Sequence, residues 1–187
     1  MRTMAASNSK SLPSIGFVTI DEHQQHGLFG GYLILNVHGR PLEFHCTAPV
    51  KPNRAQEILY GPTLKPFLYG EQIAHTLVTK AKIKPQIICT DIQDVLAVGD
   101  LVDMPAVLVF DESNDENSSP IQTSSLFCFR IMDLQVAVHR SKSADQQRAT
   151  TILEGLAEGL DLCEPFSRIR DALSEAQATA KAAAKAA

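Results

Sequence analysis

Gly31-Tyr32-Leu33-Ile34-Leu35-Asn36-Val37, then His38-Gly39-Arg40-Pro41, then Leu42-Glu43-Phe44-His45-Cys46-Thr47: two strand-length runs flank four turn residues. Gly39 supplies a permissive backbone and Pro41 punctuates the turn, so the segment reads as a β-hairpin. In its second arm Leu42, Phe44 and Cys46 alternate with Glu43, His45 and Thr47. That alternation predicts a buried face and a wet face.

Upstream, Ile15 to Ile20 is a strand-like run closed by Asp21. Downstream, Pro49 and Pro52 end the hairpin, and Asn53 is placed to cap a short helix from Ala55 to Leu59. Gly61-Pro62 interrupts it. A second helix is predicted from about Lys65 to Lys80, with Phe67, Ile73, Leu77 and Val78 as its apolar stripe. Pro85 introduces the strand Gln86 to Thr90, closed by Asp91. A helix from Ile92 to Val98, ended by Gly99, leads to the strand Ala106 to Phe110. Strand, helix, strand implies a parallel crossover. Leu126 to Ile131 and Leu134 to His139 read as two more strands. From Ser143 the chain turns helical, with one stripe at Ile152, Leu153, Leu156 and Leu160 and another at Phe166, Ile169 and Leu173 after Pro165.

The expected fold is α/β, a mixed sheet of five to seven strands flanked by helices. Its length of 187 residues suits one domain. That domain is expected over residues 14–175, after a disordered leader at 1–13. It carries an acidic mobile loop at 111–124 and is followed by an Ala-rich helical tail at 176–187. A hydrophobic share of 44% and a charged share of 20% are those of an ordinary globular protein. The net charge of −4 matters more: phosphate binding needs a basic face, and no overall excess of Lys and Arg supplies one. Cys46, Cys89, Cys128 and Cys163 lie far apart with no CxxC pair, and read as buried free thiols in a reducing compartment. Met1 to Ser14 is polar and Ser-rich, without a signal peptide's apolar core. No run approaches the roughly 20 apolar residues that span a bilayer. Cytoplasmic residence, no membrane, is the expectation.

The chemistry-bearing residues are acidic. Asp21 and Asp91 close strands, Glu57 lies on the helix between them, and Asp145 opens a later helix. Strand ends bring such residues to one edge of a sheet, and clustered carboxylates bind hard cations. The bland alternative is local: Asp91 as the N-cap of the helix beginning near Ile92, Asp145 complementing a helix dipole, Glu57 solvated. His23, His26, His45 and Cys46 match no closed four-ligand zinc pattern. Lys80, Lys82 and Lys84, with Arg40, Lys51 and Arg54, form either a phosphate-positioning rim or a solvated surface.

Several local strings resemble ribonuclease H. Asp21 ends a first strand and Gly30-Gly31-Tyr32 opens a second. Asn53-Arg54-Ala55-Gln56-Glu57 is similar to that family's helix start, where a catalytic Glu follows Asn-Arg. Thr90-Asp91-Ile92-Gln93-Asp94-Val95 is similar to its strand-end Thr-Asp, and Ala144-Asp145-Gln146-Gln147-Arg148-Ala149 to its final acidic helix. The similarity covers roughly residues 15–98. It implies a ribonuclease H-like arrangement of three strands, helices, strand, helix, strand. It also implies phosphodiester hydrolysis in which Asp21, Glu57 and Asp91 hold two Mg²⁺ ions about 3.5–4 Å apart, with Asp145 completing one shell. The chain departs from the pattern at the Gly61-Pro62 break, at the two strands after Phe110, and at Asp111, which rivals Asp145. Two functions follow. One is a non-catalytic module meeting a protein partner through the acidic loop or terminal helix. The other is a Mg²⁺-dependent nuclease or related phosphoryl-transfer enzyme acting on nucleic acid.

Overall fold

The computed structural model describes residues 13–110, 123–131, 133–156 and 159–186, with the side chains of 180–186 left aside. The expected leader and most of the acidic loop, Asp111 included, lie outside the described residues. Seven strands form one mixed sheet: β1 (Ser14–His23), β2 (Gly27–Asn36), β3 (Pro41–Cys46), β4 (Ile87–Thr90), β5 (Ala106–Val109), β6 (Leu126–Ile131) and β7 (Leu134–His139). Their order is β3-β2-β1-β4-β5-β7-β6. β1, β4 and β5 run parallel, while β2 is antiparallel to both β1 and β3. The β6–β7 hairpin extends the sheet beyond β5, with β7 antiparallel to it. The α/β class, the seven strands and the implied layout are therefore all present.

The β2–β3 hairpin is built as its turn residues require. Asn36 Oδ1 accepts from the N–H groups of His38 and Arg40, and Gly39 takes φ 71°. Upstream, β1 continues past Asp21 to His23 and pairs with β2 from Gly27 onward. Asp21 thus lies inside a strand, opposite Phe29, instead of closing it.

Helices cover both faces. After Asn53, whose side chain and Gln56 complete a capping box, come α1 (Arg54–Tyr60), α2 (Leu64–Pro66), a π-helical segment (Phe67–Ala74) and α3 (His75–Lys80). Leu68, Ile73, Leu77 and Val78 pack on Val18, Ile20, Ile34 and Ile88, making one core. On the other face α4 (Asp145–Leu156) and α5 (Glu164–Ala186) lay Leu153, Phe166, Ile169 and Leu173 on Ile15, Phe17, Leu33 and Val107. The expected Ala-rich tail continues α5 to Ala186.

Gly30 and Gly31, mid-strand in β2, admit these layers. A Cβ on Gly30 would lie 2.2 Å from Ile73 Cγ2, and one on Gly31 2.2 Å from Ile169 Cγ2. Side chains alternate across a strand, so the two neighbours receive helices from opposite faces.

β3 does not bury its apolar residues as a set: Leu42, beside an irregularity in the β2–β3 register, packs on the core. Phe44 and Cys46 are exposed, whereas Glu43 and His45 are partly covered. β3 is an edge strand, and its Glu43 face meets the connection after α3. There the carboxylate accepts from the N–H groups of Lys82 and Ile83 and pairs with His45 Nε2 at 2.6 Å. Cys128 is exposed too and Cys163 half-buried, so Cys89 alone among the four thiols is buried as expected. Burial pushes the Cys89 thiol up, with the nearby Cys163 adding to it, which leaves it inert.

Two outcomes test this packing. Gly31→Ala should lower unfolding free energy by about 1–3 kcal/mol in denaturant titration, because Ile169 must move off the sheet. Partial burial alone would raise the Glu43 carboxyl, but the Lys82 and Ile83 N–H groups and His45 outweigh it and hold it at about 2, below its ordinary 4.5. A depressed carboxyl stabilises fully above its unfolded value. Stability should therefore fall as pH drops from 4.5 toward 2, and Glu43→Gln should flatten that slope.

Candidate functional site at the carboxyl ends of the parallel strands

The carboxyl ends of β1 and β4 meet in the middle of the sheet, the usual place for a ligand in an α/β fold. Their last registered pair is Val18 with Thr90, which sets Thr19 beside Asp91. Alternation puts Thr19, Asp21 and Asp91 on the face covered by α5. Asp21 stands two residues beyond Thr19, about 7 Å further along the strand. Arg170 of α5 reaches into this corner. Its Nη2 donates to Asp91 Oδ2 and to Thr19 Oγ1, the second bond at 3.2 Å. The Asp91 side chain is 15% exposed, and its other oxygen, Oδ1, is buried with no hydrogen-bond partner among the described residues. Asp91 is not a helix cap: the turn at Gln93–Asp100 is a 3-10 helix with Ile92 at the N-cap position and no side-chain cap.

The other two predicted ligands lie elsewhere. Glu57 projects from α1, which has no buried residue, and pairs with Arg54 at 3.0 Å. α1 leads into the helices that pack on the opposite face from Asp91. Asp145 pairs with Arg148 at 3.2 Å, and Arg148 also donates to the Asp103 carbonyl, just ahead of β5. Asp145 therefore sits toward the amino ends of the parallel strands, with the length of β4 between it and Asp91. Among the described residues no three His, Cys, Asp or Glu side chains come close enough together to hold a metal ion. Of the four carboxylates, the structure brings Asp21 and Asp91 to one corner and leaves Glu57 and Asp145 out of it.

Mg²⁺ does not fit this donor set. Thr19, a neutral hydroxyl, occupies the place beside Asp91 where a second carboxylate would be needed, and a guanidinium fills the gap between them. Among the described residues the histidines form no alternative centre: the rings of His23 and His26 lie 4.6 Å apart at the β1–β2 turn, while His45 is engaged with Glu43.

The opposite side of the same rim is also polar. Tyr69 donates to Glu22 at 3.3 Å. Burial, then the Glu22 and Asp94 charges, push its hydroxyl pKa up. Asp94 is raised by burial, with Lys65 opposing. Sequence reasoning missed Thr19, Arg170, Glu22 and Tyr69. The alternation of β1 already put Thr19 on the face of Asp21. Arg170 sits among Phe166, Ile169 and Leu173 on a helix far down the chain, and nothing local linked it to Asp91.

No family model and no curated protein matches the chain. Among solved structures, human ENDOV is similar over 88% of this chain and 87% of its own, at 16% identity and TM-score 0.40. Endonuclease V of Ciona intestinalis, in complex with a 24mer DNA containing an inosine followed by a ribo-adenosine, is similar over 71% and 73%, at 12% identity and TM-score 0.38. The catalytic domain of human Endonuclease V is similar over 88% and 85%, at 14% identity and TM-score 0.36. At these TM-scores the likeness carries no argument about activity or substrate.

The ion pairs differ in consequence. Glu57→Gln removes only an exposed pair and should change stability by less than about 0.5 kcal/mol in thermal or chemical melts. Thr19→Val leaves the Arg170 guanidinium one acceptor short in a covered corner and should cost about 1 kcal/mol in the same measurement.

Proposed function

We propose that the chain is a non-catalytic protein-interaction module on a ribonuclease H-like scaffold, with α1 as its contact element. One observation carries the reading: α1 has a complete N-terminal capping box and no buried residue, and its adjacent Ile58 and Leu59 are 66% and 81% exposed. A formed helix holding its two largest aliphatic side chains in water fits insertion into an apolar groove, with those side chains as anchors. Two side chains offer far less than the roughly 800 Å² per partner of a stable interface, so self-association through α1 alone is disfavoured. Around the patch Arg54 is paired with Glu57, Lys65 lies near Asp94 and Lys51 donates to the Gln25 carbonyl. The occupant is a protein that offers an apolar groove to these two side chains. The non-catalytic part is supported by the engagement of Asp91, Glu57 and Asp145 with arginines. Among the described residues no helix is long and apolar enough to cross a membrane.

A second reading, a metal-dependent nuclease, is favoured by one fact: Asp91 Oδ1 is buried without a partner and Asp21 shares its face. That chemistry would need Arg170 to swing away.

Affinity capture with the wild type and with Ile58→Asp/Leu59→Asp tests the first reading. A co-purifying protein, once itself purified, should bind the wild type and lose at least tenfold in affinity for the double variant, whose melting temperature stays unchanged. Equal binding by both, or a wild-type dimer that the variant abolishes, overturns the assignment. Calorimetric titration with millimolar Mn²⁺ separates the second reading: specific binding lost in Asp21→Asn and Asp91→Asn would establish it.

A further inference from the structure

The two edges of the sheet are built differently. β3 opens on a proline and its register against β2 breaks at Ile34 and Leu35, both of which discourage another strand from adding. β6 has neither device. It pairs with β7 without a break from Leu126 to Ile131, and no strand among the described residues lies beyond it. The Gln135 carbonyl accepts from the Phe110 N–H at 3.1 Å, so the backbone of Gln135 faces β5. Its partner across the hairpin, Arg130, therefore turns its own N–H and C=O away from β7, and by alternation Cys128 and Leu126 do the same. The Leu126 carbonyl accordingly receives Arg140 Nη2, from just past β7, at 3.2 Å. The side chains add apolar surface to this edge. Phe127 is 36% exposed with its ring 6.4 Å from that of half-buried Phe129, and Cys128 is exposed on the other face. The one charged side chain of β6, Arg130, folds onto the Asp133 carbonyl.

We propose that β6 is a homodimer interface, to which a second copy of the chain adds its own β6 antiparallel, joining the two sheets into one. Any strand could satisfy a free edge; what selects a second copy is that this strand is its own complement. The outward residues Leu126, Cys128 and Arg130 are spaced evenly about Cys128. A two-fold axis there sets Cys128 opposite Cys128 of the second copy and Leu126 opposite Arg130. All the outward positions then bond, in the closed isologous manner of a C2 interface. A shift of one residue sets outward groups against inward ones, and a shift of two drops Leu126 or Arg130 from the ladder. The same axis puts Phe127 opposite Phe129 of the second copy, twice over, which gathers four rings on one face as a cross-strand aromatic cluster. The two Arg130 side chains stand four residues apart along the ladder, roughly 13 Å, beyond the screening length of dilute salt. Main-chain hydrogen bonds supply the affinity, and so short a ladder dissociates on dilution. The contact is separate from α1 and does not depend on the reading of that helix.

Sedimentation equilibrium of the full chain tests it: the mass should rise from one copy toward two as concentration increases. Cys128→Pro removes an outward N–H and no bond to β7, so it should fold, melt within a few degrees of the wild type and lower dimer association by about tenfold or more. Phe127→Lys should weaken the dimer likewise without touching the backbone, and it decides alone should Cys128→Pro fail to fold. Opposed residues of a hydrogen-bonded antiparallel pair have Cα atoms about 5.5 Å apart, within disulfide reach. In a Cys46→Ser background, oxidation by copper phenanthroline in air should therefore yield a cross-linked dimer that Cys128→Ser abolishes. A chain that stays monomeric at millimolar concentration overturns the proposal. So does a dimer that survives both Cys128→Pro and Phe127→Lys, or one that gives no Cys128 cross-link. A dimer that Ile58→Asp/Leu59→Asp dissociates, while Phe127→Lys leaves it intact, overturns both this proposal and the assignment of α1. Loss of dimer in Phe127→Lys alone upholds the proposal and leaves the α1 reading where it stood.

Discussion

Two adjacent residues without side chains let helices press on the sheet from both sides. At Gly30 the π-helical segment seats Ile73 directly on the β2 backbone, and at Gly31 α5 does the same with Ile169. Each contact closes one of the two cores, since Ile73 packs with Val18 and Ile34 while Ile169 packs with Phe17 and Leu33. Interiors are packed nearly as densely as organic crystals, so lifting either helix by one methyl group opens voids along its whole face. The same constraint reaches the polar corner. α5 can set a guanidinium against Asp91 because its previous residue lies against bare backbone.

In that corner the charges are settled separately from the arrangement of the strands. Asp91 is partly covered and engaged by Arg170, while Glu57 and Asp145 are held by arginines three residues along their own helices. The helical pairs are surface interactions of small energetic weight. The Asp91–Arg170 pair is different, because it joins a central strand to a helix separated from it by 79 residues and lies partly out of water. Removing one partner of such a pair strands the other, and so the pair specifies where α5 docks as much as how strongly.

The edge strand β3 makes the same point in backbone terms. Glu43 accepts N–H groups from the connection that follows α3. This ties the edge strand of the sheet to a helical layer through a side chain. α1 is attached more lightly, through Tyr60 at its end, whose ring stacks on Phe67 at 4.1 Å. Its helical form comes from local capping, which leaves Ile58 and Leu59 available to a partner.

Local physics was sufficient for most of the architecture. Apolar runs of strand length, the Asn36–Pro41 turn, the Asn53 cap and the helical stripes at Leu77, Leu153 and Ile169 are each decided by neighbours a few residues away, and all were legible. So was the parallel crossover from β4 to β5. Three things were not. Which face of β3 is covered depends on Lys82 and Ile83, some forty residues on. Whether Asp21 or Thr19 stands beside Asp91 depends on the register of β1 against β4, which backbone hydrogen bonds and core packing settle and residue type does not. The partner of Asp91 depends on the docking of α5. A sequence determines what a stretch of chain can form and which charges it carries. Which charges meet is a question of distance, and only the packed layers, closing on Gly30 and Gly31, set those distances.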